Sequence, residues 1–248
     1  MDTNISIQGR GALVTGASRG LGRALAEQLA AKGARVALVA REAGPLHDVV
    51  EGIRARGGVA HAVLGDVGDK DAVHKIAGQA QGLVGEIEIA IHNASTLGPT
   101  PLRLLLDTEC EDLAAVLETN LVGPFRLTKI LAGAMALRGS GVLVHISSDA
   151  AVEPYPRWGA YGVSKAAQDH LSRILAGERD GTGVRILAID PGEMDTVMHA
   201  AAIPEADRAT LQRPADVATR IISMLESAGR APSGSRLAAP RWDVGAAS

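Results

Sequence analysis

The chain has 248 residues, of which 46% are hydrophobic and 21% are charged, and its formal net charge is −3 at pH 7. This balance is typical of a globular protein with a large core, and it excludes disordered and collagen-like classes. Because no run of Lys or Arg stands out, nucleic acid is not an expected partner. The single cysteine, Cys110, excludes an intramolecular disulfide, and the seven histidines show no ligand spacing, so no metal site is predicted.

No stretch approaches the ~20 consecutive apolar residues that a membrane helix needs. The N-terminal sequence MDTNISIQGRG has no basic region followed by an apolar one, which is the pattern that directs export. We therefore expect a cytoplasmic protein without a membrane partner.

Short aliphatic runs alternate with amphipathic stretches along the chain. The predicted strands are Ala12–Val14, Arg35–Val39, Val59–Leu64, Ile87–Ile91, Val142–Ile146 and Val184–Ile189. The predicted helices are Leu21–Ala31, Pro45–Arg56, Lys70–Ala80, Cys110–Ala136, Ala160–Arg179 and Pro214–Ser227. Most of these strands are too continuously apolar to have a solvent-exposed face, which favours a parallel sheet between two layers of helices. The predicted fold class is α/β, a Rossmann-type doubly wound parallel sheet in three αβα layers, formed by one dinucleotide-binding domain over residues 1–248.

Two segments lack a clear periodic pattern. Residues 193–213 are predicted to bind substrate, and the part over Val197–Arg213 is either a mobile lid or a loop with one helical turn. A short last strand is expected at Ser235–Ala238, and a C-terminal tail covers about residues 239–248.

A glycine-rich turn follows the first predicted strand and opens a helix. Glycines at this point allow a tight turn and let backbone N–H groups approach a pyrophosphate at the positive end of the helix. An alternative is a turn that needs glycine only for its backbone conformation. The residues predicted to bind a dinucleotide are Gly16, Ser18, Arg19, Gly20, Leu21 and Gly22.

The second predicted strand ends at Ala40-Arg41, where an NAD-specific site usually places an acidic residue for the ribose 2′-hydroxyl. Ala40 cannot form that bond, whereas Arg41 and Arg19 can bind a 2′-phosphate through charge-assisted hydrogen bonds. The sequence therefore predicts NADP(H) as the cofactor. The alternative is that both arginines are solvated surface residues.

Polar residues follow the third and fourth predicted strands, as Asp66-Val67 and His92-Asn93-Ala94-Ser95. Taken alone, these segments are weak signals. Asp66 is equally suited to capping the helix that begins near Lys70, and Asn93 to satisfying loop backbone.

The strongest pattern lies at the fifth predicted strand and the helix after it. Ser147-Ser148 ends the strand, and Tyr161 and Lys165 are four residues apart, so they share one helical face. A phenol has a pKa near ~10, and a nearby ammonium with a cationic nicotinamide would lower it towards neutrality. Tyr161 is then usable as both acid and base. The alternative is an accidental surface pair.

With these motifs in this order, the sequence resembles the short-chain dehydrogenase/reductase family over nearly its whole length. The resemblance selects Ser148, thirteen residues before Tyr161, as the catalytic serine. It also implies that Asn120 anchors a water that relays protons to Lys165. Ser95 departs from the family, which usually has glycine there, and the frequent V-D-G-G segment near the C-terminus is missing. The cofactor contacts that the resemblance implies are Asp66, Val67, Asn93, Ala94, Ser95, Tyr161, Lys165, Pro191, Gly192 and Thr196.

A narrower resemblance is to sepiapterin reductase and the bacterial benzil reductases. The residues that carry it include Ile146-Ser147-Ser148, Pro154, Trp158, Lys165-Ala166-Ala167 and Asp195-Thr196. It implies NADPH-dependent reduction of a ketone or vicinal dicarbonyl, with Tyr161 donating a proton and Ser148 orienting the carbonyl. Leu237-Ala238-Ala239 lies where sepiapterin reductase has an acidic residue, which argues against a pterin substrate. The predicted substrate contacts are Ser148, Tyr155, Trp158, Glu193 and Met194.

Two other functions stay open. An NADP-dependent alcohol dehydrogenase working in the oxidising direction would use every one of these residues. A catalytically silent NADP-binding regulator would have no need to keep the catalytic set in register.

The family resemblance also implies a homodimer or homotetramer built on the two long helices. A stripe within the first of them is expected to pack mainly against the sheet: Leu113, Val116, Leu117, Leu121 and Phe125.

Overall fold

The structure is a computed structural model that describes residues 5–227 and 231–243. Seven parallel strands form one sheet in the order β3-β2-β1-β4-β5-β6-β7. The α/β doubly wound class predicted from the sequence is thereby confirmed. The strands are β1 (Gly11–Thr15), β2 (Arg35–Ala40), β3 (Val59–Leu64), β4 (Ile87–His92), β5 (Gly141–Ile146), β6 (Val184–Asp190) and β7 (Arg236–Ala238).

Helices cover both faces of the sheet, and each face has its own hydrophobic core. Every residue of β1 and β5 is buried, as expected for strands with helices on both sides. One core contains residues of α1, α2 and α8, and the other contains residues of α3, α5 and α6. The helices are α1 (Gly20–Ala31), α2 (Ala43–Ala55), α3 (Lys70–Val84), α4 (Cys110–Leu117), α5 (Gly123–Arg138), α6 (Gly159–Glu178), α7 (Val197–Ala202) and α8 (Pro214–Glu226).

The strand order reverses beside β1, which has β2 on one side and β4 on the other. In sheets of this kind, ligands bind beyond the carboxyl ends of the strands at the reversal. The loops after β1, β4 and β5 therefore define the region where a ligand is expected. Among residues 5–227 and 231–243, no helix combines the length and hydrophobicity that crossing a bilayer requires.

The long helix predicted over Cys110–Ala136 is interrupted. A π-helical turn, Glu118–Val122, separates α4 from α5, so the two helices do not keep one continuous periodicity. The stripe expected against the sheet is correspondingly only partly buried. Val116 is fully buried and Phe125 packs against the core, but the other members are half-exposed. The prediction that the stripe is mainly core is therefore wrong for Leu113, Leu117 and Leu121.

Two buried histidines stack between neighbouring strands. His92 of β4 is paired in register with His145 of β5, and their ring centroids are 4.9 Å apart. Thr128 Oγ1 lies 3.1 Å from His92 Nε2 and 3.4 Å from His145 Nε2, while His145 Nδ1 lies 2.8 Å from Ser172 Oγ. One donor order fits all these contacts with both rings neutral: His92 donates to Thr128, Thr128 donates to His145, and His145 donates to Ser172.

Burial lowers the pKa of His92 to about 4 and the pKa of His145 well below its usual value, with repulsion from His92 and Lys165 adding to the second shift. In the unfolded chain both rings take up a proton near pH ~6.5. The folded state therefore binds fewer protons than the unfolded state between that pH and about 4. The contribution of the two neutral rings to the free energy of unfolding is fully present above pH ~6.5, and it is lost progressively as the pH falls below that value.

We expect the free energy of unfolding to fall by about 2 kcal/mol between pH 7.5 and pH 5 through His92 alone. Urea unfolding followed by circular dichroism at the two pH values measures this change. The His92→Asn variant removes the buried imidazole and should show a smaller loss of stability on acidification. Equal acid sensitivity of variant and wild type would contradict the assignment.

Candidate active site

The glycine-rich loop joins β1 to α1 and lies against the end of β4. Gly16 has a φ of 66°, a left-handed conformation that glycine adopts without strain. A Cβ on Gly22 would overlap the carbonyl oxygen of Gly16 and the side-chain amide of Asn93. Among the described residues, no side chain caps α1 and its first turn holds no acidic residue. Its backbone N–H groups and helix dipole are therefore suited to an anion.

The remaining residues of this loop have different surroundings. Leu21 is a core residue, so only its backbone is suited to a ligand. Ser18 is half-buried at the turn. A Cβ on Gly20 would lie 3.5 Å from Thr196 Cγ2, which places Thr196 beside the glycine-rich loop. The structure thus brings together the two predicted cofactor segments that follow β1 and β6.

The two predicted 2′-phosphate ligands lie at the same end of the sheet. Arg41 Nη1 is 3.7 Å from Asp66 Oδ2, and Arg19 Nη2 is 3.9 Å from Glu42 Oε1. Since Glu42 directly follows Arg41, the second contact joins the glycine-rich loop to the end of β2. Both guanidinium groups are mostly exposed, and such long, exposed ion pairs stabilise little. Each arginine can therefore exchange its present partner for a phosphate at small cost.

The structure separates the two interpretations of Asp66. Helix α3 is capped by Asp69, whose Oδ1 accepts from the Asp71 N–H at 2.9 Å. Asp66 instead accepts from the Gly68 N–H at 2.9 Å, in the turn before the helix, and Val67 is buried in the core. Capping of α3 therefore does not account for Asp66, and its contact with a cofactor stays a prediction.

Asn93 and Ala94 tie the glycine-rich loop to the end of β4. Thr15 Oγ1 accepts from the backbone N–H groups of Asn93 and Ala94, each at 3.0 Å. The Asn93 side chain donates to the carbonyl oxygens of Thr15 and Gly16 at 3.0 and 3.2 Å. Asn93 thus satisfies loop backbone, which was the structural alternative, and in doing so it holds the predicted cofactor loop in place.

Tyr161 is buried at the start of α6, where hydroxyl groups from two neighbouring strand ends meet it. Burial raises the pKa of Tyr161 to about 12, the hydroxyls of Ser148 and Ser95 oppose that rise, and the carboxylates of Asp149 and Asp190 add to it. Within the chain alone the phenol is therefore protonated at neutral pH. The lowering towards neutrality predicted from the sequence requires positive charge next to the phenol.

The hydroxyl of Ser148 has a competing partner that the sequence did not predict. Ser148 Oγ donates to Asp149 Oδ1 at 2.9 Å and accepts from the Ala150 N–H at 3.2 Å. Asp149 also accepts from the Tyr155 hydroxyl at 3.1 Å. In contrast, Ser95 Oγ is buried and forms no well-aligned hydrogen bond within the described part of the chain, although it lies near enough to Tyr161 to affect its pKa.

Lys165 is fully buried one turn after Tyr161, and its Nζ lies 5.6 Å from the centroid of that ring. Nζ donates to the carbonyl oxygen of Ile146 at 2.6 Å and to Gln168 Oε1 at 3.4 Å. Burial lowers the pKa of Lys165 to about 8, and the charge of Asp169 opposes that shift. At pH 7 the group is therefore largely an ammonium.

Asn120 lies in the π-helical turn and is fully buried. Its side chain accepts from the Thr96 N–H at 2.8 Å and donates to Thr96 O and Ser164 Oγ, each at 2.9 Å. Its backbone carbonyl accepts from Gln168 Nε2 at 2.9 Å. The Gln168 side chain thus lies between Asn120 and Lys165, and the water relay from Asn120 to Lys165 stays a prediction.

The predicted substrate segment is partly ordered by its own contacts. Asp195 pairs with Arg208 through two hydrogen bonds of 2.8 and 3.0 Å, and Met194 forms a bridge with Gln212. Thr196 caps α7 by accepting from the His199 N–H at 3.1 Å. The stretch after β6 is therefore a short helix, α7, followed by a 3-10 turn at Arg208–Thr210, which is more structure than a loop with one helical turn. Pro191 is buried, and the Gly192 N–H donates to Asp190 Oδ1 at 2.9 Å.

The predicted substrate contacts do not all lie together. Trp158 packs edge-on against Tyr161, with ring centroids 5.7 Å apart, and joins a small apolar cluster with Leu97. Tyr155 and Glu193 are exposed, whereas Met194 packs against the core. The predicted C-terminal tail begins as a 3-10 turn, Ala239–Arg241, and Trp242 donates to Ser223 Oγ at 3.2 Å; residues 244–248 lie outside the described ranges.

An open pocket borders Tyr161. The β4–α4 loop, the start of α4 and the start of α6 form its walls, which combine apolar side chains with charged ones. Its lining within the described chain does not include Tyr155, Trp158, Glu193 or Met194. The lining residues are Leu97, Pro99, Leu102, Arg103, Thr108, Asp112, Val116, Arg157, Ala160 and Tyr161.

Three polar residues around Lys165 and Ser148 were missed by the sequence analysis. Gln168 and Asp169 lie three and four residues after Lys165 on α6, so the spacing that paired Tyr161 with Lys165 also marks them. Arg236 lies on β7 and contacts Asp169 across 67 residues of sequence. No local pattern marks that contact.

Comparison with known proteins agrees with this geometry. A family model described as short chain dehydrogenase matches residues 10–207. The chain belongs to the short-chain dehydrogenase family. It is 38% identical over 199 residues to a short-chain dehydrogenase of Pseudocercospora fijiensis, an alignment that covers 78% of this chain and 62% of that protein. This short-chain dehydrogenase thus spans less than two thirds of that relative's length.

Two solved structures are similar to this short-chain dehydrogenase and hold different cofactors. A short-chain dehydrogenase from Shigella flexneri 2a in complex with NADP has a TM-score of 0.87 and 28% identity, covering 95% of this chain and 98% of that one. A 7α-hydroxysteroid dehydrogenase in complex with NADH and 7-oxo glycochenodeoxycholic acid has a TM-score of 0.87 and 28% identity, covering 96% of this chain and 95% of that one. The protein is thus an oxidoreductase whose relatives use nicotinamide cofactors.

The residues present fit a nicotinamide dinucleotide. A Cβ on Gly22 would overlap the carbonyl oxygen of Gly16, so only glycine allows this close turn of the loop. The start of α1 has no side-chain cap, and its backbone N–H groups can donate to a pyrophosphate. Both features lie at the reversal of strand order, where such cofactors bind.

Proposed function

We propose that this short-chain dehydrogenase reduces a ketone or vicinal dicarbonyl to an alcohol with NADPH. The observation that carries the proposal is the convergence of three groups at the carboxyl end of β5: the buried Tyr161 phenol, the Ser148 hydroxyl and the Lys165 ammonium. A general acid, a hydrogen-bond donor for a carbonyl oxygen and a cation are what such a reduction needs from the protein. The resemblance to the sepiapterin and benzil reductases supports a dicarbonyl substrate.

In the proposed mechanism, Tyr161 donates its proton to the carbonyl oxygen as that oxygen becomes an alkoxide. Ser148 turns its hydroxyl from Asp149 to the same oxygen and orients it. Lys165 holds the nicotinamide ribose, and its ammonium, 5.6 Å from the Tyr161 ring centroid, would lower the pKa of the phenol together with the positive charge of the oxidised nicotinamide. When bound, the reduced nicotinamide supplies the hydride. Asn120 anchors a water that relays protons to Lys165, as the family resemblance implies.

NADPH is proposed over NADH because Arg19 and Arg41 lie at the end of the sheet where the adenosine ribose is expected. Both side chains are mostly exposed and only weakly paired. A 2′-phosphate would form charge-assisted hydrogen bonds with both guanidinium groups. An acidic residue that would favour NAD is replaced by Ala40 at the end of β2.

The test is oxidation of NADPH, followed optically, with benzil-like diketones, small ketones, keto acids, quinones and sepiapterin, and with NADH in parallel. We expect turnover of a dicarbonyl and a kcat/KM for NADPH at least about ten-fold above that for NADH, since each ~1.4 kcal/mol of phosphate binding gives a factor of ten. Arg41→Ala should reduce this preference. Equal kcat/KM for the two cofactors would contradict the role of the arginines.

An alcohol dehydrogenase running in the oxidising direction shares every residue, and alcohols with NADP are the panel that identifies it. A silent regulator would bind NADPH and turn over nothing.

We also propose a homodimer or homotetramer, which the half-exposed Leu113, Leu117 and Leu121 support because they offer apolar surface along α4 and the turn after it. A cytoplasmic location is proposed as well, since the lone Cys110 suits a reducing compartment.

A further inference from the structure

Arg236 joins the last strand to three other elements of the molecule. It lies beyond residues 10–207, the region that the family model matches. Its Nε donates to Asp169 Oδ2 of α6 at 2.9 Å. Its Nη2 donates to Asp190 Oδ2 of β6 at 3.0 Å and to the carbonyl oxygen of Ser148 at 2.8 Å. One guanidinium therefore contacts the residue proposed to orient the substrate carbonyl and two acidic residues beside it.

The two carboxylates are nearly inaccessible to solvent, with Asp169 6% and Asp190 7% exposed. A carboxylate buried to this extent stays ionised only when charged or hydrogen-bonding partners compensate for the lost water. Asp169 accepts from the Ser147 hydroxyl at 2.8 Å as well as from Arg236. Burial raises the pKa of Asp169, and Ser147 and Arg236 lower it. The charge of Asp169 thus depends on Arg236.

That charge acts on Lys165, one helical turn earlier. Asp169 opposes the effect of burial and so helps Lys165 to stay protonated. Asp169 lies four residues after Lys165 on α6 and both side chains are buried, so the two charges share one face of the helix. The other groups that face Lys165 are the Tyr161 ring on the same helix and His145 on β5, and His145 is neutral. The polar atoms that bind Nζ, from Ile146 and Gln168, carry no net charge.

We propose that Arg236 is a positioning residue of the active site. It holds the carbonyl group of Ser148 and keeps Asp169 ionised, and through Asp169 it keeps Lys165 an ammonium that can bind the nicotinamide ribose. The inference rests on the proposed roles of Ser148 and Lys165. It predicts two separable effects of Arg236, one on the geometry at Ser148 and one on the charge of Lys165.

The experiment measures the affinity of the full-length protein for NADPH, and in parallel for NADH, by nicotinamide fluorescence between pH 6 and pH 10. Binding should weaken as Lys165 loses its proton. In Arg236→Met and in Asp169→Asn we expect this weakening to begin about one pH unit lower than in wild type, a change of about ten-fold in affinity at one pH. Arg236→Lys keeps the positive charge, so its pH dependence should stay close to wild type.

Measurement of kcat tests the effect of Arg236 on the geometry at Ser148 separately from its effect on the charge of Lys165. Because a lysine cannot reproduce the forked contacts of a guanidinium, Arg236→Lys should lower kcat about ten-fold while its pH dependence of binding is kept. Arg54→Met is the control, since Arg54 pairs with Glu51 on the exposed face of α2, outside every predicted site, and should change neither quantity. Circular dichroism establishes that each variant is folded.

Wild-type pH dependence and wild-type kcat in folded Arg236→Met would overturn the proposal. If that variant does not fold, Asp169→Asn decides: a lowered midpoint supports the proposal and an unchanged midpoint overturns it. Failure of the proposed function looks different, because wild type would then reduce no carbonyl compound while its cofactor binding still titrated as described.

Discussion

Replacing Tyr161 with phenylalanine is expected to lower kcat by at least about 10³-fold while changing the affinity for NADPH by less than about three-fold. The substitution removes the hydroxyl that is proposed to protonate the substrate oxygen and keeps the buried ring. The ring packs edge-on against Trp158, and phenylalanine preserves that contact. Stopped-flow oxidation of NADPH measures turnover, and fluorescence titration measures binding.

The chain offers a matched comparison because it has two tyrosines. The Tyr155 hydroxyl donates to Asp149 at 3.1 Å on the exposed side of the site, so Tyr155→Phe should keep kcat within about ten-fold of wild type. Substantial turnover by Tyr161→Phe, or equal losses in both variants, would show that Tyr161 is not the general acid.

Gly22→Ala is expected to weaken NADPH binding by at least about ten-fold, or ~1.4 kcal/mol, and to lower the free energy of unfolding by about 1–3 kcal/mol. The added Cβ would overlap the carbonyl oxygen of Gly16 and the side-chain amide of Asn93. Both groups belong to the contact that holds the glycine-rich loop against β4. The loop therefore has to move, and the N–H groups at the start of α1 move with it.

Gly78→Ala is the matched control for this substitution. Gly78 is an exposed residue inside α3, and a Cβ there meets no atom of the described chain within 4 Å. Alanine at that position should raise stability by up to about 1 kcal/mol through helix propensity and leave cofactor binding unchanged. Isothermal titration with NADPH and urea unfolding compare the two variants. Wild-type affinity of Gly22→Ala for NADPH would show that the pyrophosphate does not bind at the glycine-rich loop.

The sequence predicts most of the fold because its strands are short apolar runs, and no strand boundary differs from the structure by more than one residue. The Tyr161 and Lys165 pair is also readable, since both lie on one helix at a spacing that any helix imposes. The interruption between α4 and α5 was missed although Pro124 lies inside the predicted helix Cys110–Ala136. Proline has no backbone N–H and favours the first turn of a helix, and α5 begins at Gly123 with Pro124 in its first turn. The residues of the π-helical turn itself, Glu118–Val122, carry no such signal.

Residues that act through distant contacts were beyond the sequence analysis for a different reason. Arg236 lies 88 residues from Ser148 in the chain, and their hydrogen bond exists only because β7 joins the sheet beside β6. Asp190 directly follows the predicted strand Val184–Ile189, and the sequence analysis gave it no role. Its carboxylate acquires a role only when β7 brings a guanidinium next to it.

The group formed by Lys165, Asp169, Asp190 and Arg236 contains two positive and two negative side chains, so its formal charges cancel. Lys165 and the two carboxylates are buried, whereas the Arg236 side chain is 29% exposed. Loss of Arg236 therefore leaves a net negative charge on the three buried members. The C-terminal segment therefore cannot be transplanted freely among relatives. A chimera that receives a last strand without arginine at this position has to receive compatible residues at 169 and 190 as well, which couples the evolution of β7 to that of α6 and β6.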